Sequence, residues 1–183
     1  MRLHALLVIL WGVGGTVFVL AEAIWRLGML GVNLVREHGL TAGQGALLAG
    51  WTLVICYAEG YRGFQQRFSP RVIARALHLA AHPRLLHVLL APLYCMALIH
   101  ATRRRLIASW VLVAGIVAIV ILVRLLPPIY RAIVDLGVAC ALTWGTVSML
   151  VYLVRGLSGA AMPVPPDVPK PAFLNTARSP GTV

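Results

Sequence analysis

The sequence predicts an all-α integral membrane protein, and its composition and charge pattern both support that fold class. Hydrophobic residues make up 60% of the 183 residues and charged residues only 11%, whereas soluble domains average about 45–50% apolar residues. Five runs of 18 to 21 residues contain no Asp, Glu, Lys or Arg. A helix needs about 20 apolar residues to cross a bilayer. A water-soluble enzyme is therefore excluded as a class.

The charge-free runs predict a membrane domain over residues 1–156. Its five transmembrane helices are expected at about residues 3–24, 42–61, 85–102, 106–123 and 134–154. Apolar and polar residues do not alternate in these runs, so a β-barrel is not predicted. Residues 157–183 are rich in Pro and poor in large apolar residues, which predicts a disordered tail.

The first run also resembles a signal peptide, since Ala21-Glu22-Ala23 could be a cleavage site. However, the apolar stretch from Ala5 to Leu20 is long for that role. Trp25 and Arg26 are typical of the membrane interface at the end of a span. We therefore expect an uncleaved first helix.

Residues 85–102 leave a second topology open, because Pro92 interrupts the run and His87 and His100 lie near its ends. With five spans, each side of the membrane carries eight basic residues. If 85–102 is instead re-entrant, four spans remain and the basic residues divide twelve inside to four outside. The nearly continuous apolar stretch favours five spans, and the N-terminus is cytoplasmic in both topologies.

The second span is expected to continue past the membrane surface as an amphipathic helix. Four aromatic residues there are spaced four, three and four apart, namely Tyr57, Tyr61, Phe64 and Phe68. On an α-helix this spacing places the four rings within about 40° of one another. They form a candidate lipid or partner contact. Glu59 and Arg62 fall on the opposite face and form a candidate polar patch.

An interfacial amphipathic helix is predicted over residues 70–82. Ser69 and Pro70 favour a helix start, and Pro83 ends the segment. Its basic stripe consists of Arg71, Arg75, His78 and His82. A helix with cations on one face is typical of the headgroup region, so we expect this stripe to contact anionic lipid or a partner.

Small residues predict where helices approach closely in the membrane. Gly137, Ala141 and Gly145 recur every four residues on the last span, which is the spacing of a close-packing ridge. Acidic residues near the span ends have basic neighbours one helical turn away. The expected pairs are Glu22 with Arg26, Glu59 with Arg62, and Asp135 with Arg131.

We predict no cofactor. His78 and His82 could supply half of a metal site, but no third ligand falls on their helix face. On one helix His87 and His100 would lie about 220° apart, so a b-type haem is not expected either. The sequence also contains no recognised catalytic motif.

The favoured function is an accessory, assembly or scaffolding component that docks on anionic lipid or a larger membrane complex. The alternatives are a small transporter or channel component, and a membrane enzyme acting on a lipid or quinone. The formal net charge is +11, but the cations are interrupted by apolar runs, so no nucleic-acid binding is expected. Because 15 of the 16 basic residues are Arg, as GC-rich codon usage would give, we expect a multi-pass protein of a bacterial inner membrane.

Overall fold

A computed structural model of the chain describes residues 3–168, and this part is helical and contains no β-strand. The elements are α1 (Leu3–His38), α2 (Ala42–Ile55), a π-helical segment (Cys56–Phe68), α3 (Ser69–Ala81), α4 (Leu85–Leu89), α5 (Ala91–Cys95), α6 (Arg103–Val123) and α7 (Pro128–Leu157). Three of them, α1, α6 and α7, are long and apolar enough to cross a membrane. These three contain the predicted first, fourth and fifth spans.

Helices α1 and α7 pack antiparallel along most of their length. Gly31 of α1 lies beside Leu136 of α7. At the opposite end, Ile9 and Val13 share a buried cluster with Met149. The pair therefore forms the centre of the described structure.

Residues 42–81 form a composite helix that runs parallel to α7. Its residues contact α7 in the same order along both helices. Trp51 lies at Gly137, and Ile73 lies at Gly156. The composite helix begins at Thr41, whose hydroxyl accepts from the Gln44 N–H while the Gln44 side chain accepts from the Thr41 N–H. This reciprocal capping satisfies donors at the helix start.

The middle of the composite helix has π-type hydrogen bonding, which ends where the Ser69 N–H donates to the Phe64 carbonyl. Each turn of this segment takes in more residues than an α-helical turn, so the spacing of three between Tyr61 and Phe64 no longer keeps one face. The predicted single aromatic face is therefore wrong. Tyr57 and Tyr61 stack at 5.9 Å and are exposed, whereas Phe64 and Phe68 meet edge to face at 5.1 Å against the core.

The small-residue ridge of α7 faces the composite helix. A side chain added at Gly137 would overlap the Trp51 ring, and one added at Gly145 would overlap Phe64. Ala141, between them, is buried. The ridge therefore allows aromatic side chains of the composite helix to approach the α7 backbone closely.

The predicted third span, 85–102, is not a single helix, so the expected five spans are not confirmed. Helix α4 ends at Leu89 and α5 ends at Cys95. Pro92 lacks an N–H and its ring opposes a continuous helix there. Beyond α5 the backbone turns through left-handed conformations at Ala97 (φ 59°) and His100 (φ 46°).

Part of the predicted disordered tail is also ordered. Helix α7 extends to Leu157, and the chain then folds back so that the Asp167 carbonyl accepts from the Thr102 N–H at 3.0 Å. Disorder of residues 157–168 is therefore not confirmed. Residues 169–183 lie outside the described part of the chain, so the remainder of that prediction is untested.

Helix α6 stands apart from the others. Ser109 is its only buried residue, and α6 makes no extensive packing contact with another described helix. The Trp110 indole N–H donates to the Leu98 carbonyl at 3.2 Å, which ties its first turns to the preceding loop. The rest of α6 is an apolar surface.

Candidate functional site

A buried arginine organises one end of the bundle. Arg75 of α3 has no solvent exposure. Its Nε donates to the Tyr94 carbonyl at 2.6 Å, Nη1 to Pro166 at 2.8 Å, and Nη2 to Ile99 and His100 at 3.0 Å each. The expectation that Arg75 faces lipid headgroups is therefore wrong. The chain leaves helical structure after Cys95, and its buried carbonyls there need donors.

The rest of the predicted basic stripe also contacts the protein, apart from its last residue. The side chain of Arg71 is 16% exposed and pairs with Asp167 at 3.1 Å. The Nδ1 atom of His78 lies 3.2 Å from the Tyr94 hydroxyl, and either group could donate, depending on the imidazole tautomer. Only His82 is exposed. The basic stripe thus faces the segment that follows α3, and its last residue, His82, is open to the surroundings.

Tyr94 links the arginine to the histidines. The Arg75 guanidinium lies 4.3 Å from the centroid of the Tyr94 ring, within the range of a cation–π interaction. The rings of His87 and His100 lie 5.3 Å and 6.1 Å from that of Tyr94. Tyr94 itself is buried, so it forms the back wall of a polar site.

That site is a cavity of about 240 Å³ between α3 and residues 84–100. Four of the chain's six histidines line it. The full lining comprises His78, His82, Arg84, His87, Tyr94, His100 and Val168. The cavity contains four imidazoles, one guanidinium and one phenol.

The structure brings together two histidines that the sequence analysis separated. The ring centroids of His87 and His100 are 4.4 Å apart, whereas a continuous helix would hold them on nearly opposite faces. The helix breaks near Leu90, and the backbone is left-handed at Ala97. The chain therefore turns and brings the two rings together. His78 and His82 form a second pair at 4.9 Å.

The cavity lining carries positive charge without a carboxylate. Asp167 lies nearby but pairs with Arg71. Within residues 3–168, no three His, Cys, Asp or Glu side chains are arranged to hold a metal ion. The arrangement instead offers hydrogen-bond donors around a small space whose walls are in part apolar.

Burial favours the neutral form of the cavity imidazoles. It lowers the pKa of His78, and the neighbouring His82 and Arg75 lower it further. Burial followed by Arg84 and Arg75 lowers the pKa of His87, and burial followed by His87 and Arg84 lowers that of His100. These three side chains are therefore neutral at pH 7, each with one N–H donor and one acceptor nitrogen.

The other predicted site residues lie elsewhere. Glu59 and Arg62 are exposed, and the expected ion pair between them is not among those of the described residues. The pairs of Glu22 with Arg26 and of Arg131 with Asp135 are present. The predicted polar patch therefore does not contribute to the cavity.

Sequence reasoning missed Tyr94, Arg84 and Asp167. The available signal was the concentration of His78, His82, His87 and His100 on both sides of Pro92. Treating 85–102 as one helix concealed that signal.

The comparisons with known proteins add no assignment: no protein-family model, no curated protein and no solved structure matches this chain.

Replacing Arg75 should strongly destabilise this end of the protein. In Arg75→Met, the carbonyl oxygens of Ile99, His100 and Pro166 lose their Arg75 donor, whereas that of Tyr94 keeps the Ala97 N–H. We expect the free energy of unfolding to fall by about 3 kcal/mol or more, since each unsatisfied buried group costs about 1–3 kcal/mol. Unfolding in detergent micelles measures this. Arg36→Met, at an exposed site on α1, is the matched control, and equal stability of the two variants would contradict the role of Arg75.

Stability should fall on acidification. The folded state lowers the pKa values of His78, His87 and His100, so the unfolded chain binds more protons as pH decreases below the ordinary histidine pKa of about 6.5. The stabilisation is fully present above that pH and is lost as pH decreases through the folded-state values. We therefore expect a lower Tm at pH 5.5 than at pH 7.5. His87→Gln or His100→Gln should reduce this dependence and the exposed-site control His38→Gln should not; equal slopes for all three would contradict the prediction.

Proposed function

We propose that this chain is a non-catalytic accessory subunit of a larger membrane complex, and that a transmembrane helix of its partner packs against α6. The observation that supports this function is the isolation of α6, a 21-residue apolar helix with one buried residue. Helix α7, by comparison, buries ten residues against its neighbours.

Packing against neighbouring helices sets the tilt and rotation of a membrane span. Helices α1, α7 and the composite helix determine each other's positions through buried small residues. Helix α6 has small residues too, at Ala114, Gly115 and Ala118. A side chain added at Gly115 would meet no atom within 4 Å. This open surface suits close approach by an apolar helix of another protein.

The ends of α6 favour a transmembrane position. Arg103 and Arg104 are exposed at its start, and Arg124 is exposed just beyond its end. Arginine heads at both ends of an apolar helix reach water at the two interfaces. The intervening surface would then lie at the depth where a partner's span is available.

For the topology, we propose four crossings of a bacterial inner membrane with the N-terminus in the cytoplasm. The crossings are α1, residues 42–61, α6 and α7. Residues 62–105 then remain on the cytoplasmic side, with the broken segment 85–102 folded against α1. This placement gives the division of twelve basic residues inside to four outside, which the positive-inside rule favours.

The same topology leaves cations for anionic lipid despite the burial of Arg75. Arg62, Arg67, Arg84, Arg103 and Arg104 are exposed and would lie on the cytoplasmic side. Each exposed arginine near an anionic leaflet contributes about 1 kcal/mol. Lipid association would therefore support the subunit's position without involving the inward-facing part of α3.

The four-crossing topology predicts a cytoplasmic C-terminus. Paired reporter fusions at Val183, one active only in the cytoplasm and one only in the periplasm, measure this directly. We expect activity from the cytoplasmic reporter alone. Activity from the periplasmic reporter alone would require an odd number of crossings and would overturn this topology.

The partner interface predicts a site-specific cross-link. A photoreactive residue at Ile119 of α6, introduced in native membranes, should form an adduct with one other membrane protein. The same residue at Leu53, which is exposed on α2, is the matched control and should not form that adduct. Adducts with lipid alone would contradict the proposal. A product of two copies of this chain would replace the accessory function with self-association.

A further inference from the structure

The cavity between α3 and residues 84–100 is not used by the proposed α6 interface. It is a built polar site, with a buried back wall at Tyr94 and a fixed guanidinium of Arg75 behind that ring. Four imidazoles and Arg84 surround its opening. We infer that this cavity binds a phosphate group, either as a free ion or in the headgroup of a lipid.

The charge of the lining selects an anion. Arg84 contributes a full positive charge, and no Asp or Glu among the described residues lines the cavity. Asp167, next to it, is engaged by Arg71. An electropositive cleft raises the local concentration of anions and repels divalent cations.

The hydrogen-bond donors of the cavity lining suit the tetrahedrally arranged oxygens of a phosphate group. A guanidinium offers a planar pair of N–H groups that matches a phosphate edge. Each neutral imidazole adds one N–H, or two once it is protonated. The rings of His87 and His100, 4.4 Å apart, could donate to neighbouring oxygens of one phosphate.

The size of the cavity agrees with such a ligand. Its volume of about 240 Å³ is many times the roughly 10–15 Å³ that a cavity needs to hold one water. This leaves room for a phosphate group and the first carbon of an ester. Residues Leu85, Leu86 and Leu89 of α4 are exposed beside His87, so an acyl chain could also lie next to the cavity.

Binding should take up protons. An anion beside His78, His87 and His100 favours the charged imidazoles, whereas Arg75 opposes that charge at all three and Arg84 opposes it at His87 and His100. Tyr94 faces the same space and stays protonated, because burial raises its pKa. Affinity for an anion of constant charge, such as sulfate, should therefore increase as pH decreases from 8 to 6.5.

The primary test is a calorimetric titration of the full chain in uncharged detergent with inorganic phosphate, and with sulfate at pH 8 and 6.5. Arg84→Gln should weaken phosphate binding by about tenfold or more, the worth of one charge-assisted hydrogen bond. Arg36→Gln, at an exposed site on α1 that does not line the cavity, is the matched control. It should bind phosphate as the wild type does. Equal affinities for the two variants would overturn the site.

A second measurement does not depend on any variant. Imidazole nitrogen resonances of the wild-type protein should shift on adding phosphate for the cavity histidines, but not for His38, whose Nδ1 lies 3.1 Å from the Leu34 carbonyl of its own helix. Absence of any shift would overturn the proposal. Saturable Zn²⁺ binding by the same imidazoles with no response to phosphate would also overturn it.

Two further samples distinguish the source of the phosphate. In nanodiscs containing phosphatidic acid, whose phosphate is an anionic monoester, a lipid ligand should shift the cavity resonances without added phosphate. Phosphatidylcholine nanodiscs, in which a choline cation esterifies the phosphate and cancels its charge, should not shift them. If the resonances shift only on adding inorganic phosphate, the ligand is the free ion. Either result supports a phosphate site, and no response in any of these samples contradicts it.

Discussion

The burial of the Arg75 guanidinium is the interaction on which this end of the protein depends. Transferring a charge from water to the interior is costly. Four carbonyl oxygens and the Tyr94 ring offset that cost. The carbonyls come from two separate segments, residues 94–100 and Pro166, so one side chain of α3 holds both in place. The cavity walls exist because these segments are held.

A second constraint is that backbone groups inside the protein need hydrogen-bond partners. The broken segment 85–102 is tolerated because it packs on the protein rather than lying free. Gly12 and Gly15 of α1 allow this contact, since an added side chain would overlap Cys95 and Pro92. Arg75 supplies donors where the helix ends, and α1 supplies the packing surface. Together they explain how a polar cavity can form in so apolar a chain.

The described structure separates two kinds of surface. The bundle of α1, α7 and the composite helix is packed internally and carries the cavity at one end. Helix α6 is almost unpacked, and it is largely apolar after its three N-terminal arginines. A subunit that is held through α6 could present its cavity independently of its partner, because the two surfaces share no lining residue. The proposed complex and the proposed phosphate site can therefore be tested independently of each other.

The sequence by itself determined the membrane class and the positions of α1, α6 and α7, because about 20 apolar residues are needed to cross a bilayer and that requirement is visible in composition. It also located Pro92 as an interruption. Only the tertiary structure decided that Arg75 faces inward, that Phe64 and Phe68 leave the face of Tyr57 and Tyr61, and that His87 meets His100. Hydropathy records how apolar a segment is, whereas these outcomes depend on unpaired carbonyls, a π-helical turn and left-handed residues that are not glycine. Their stability comes from distant contacts, so local sequence patterns do not reveal them.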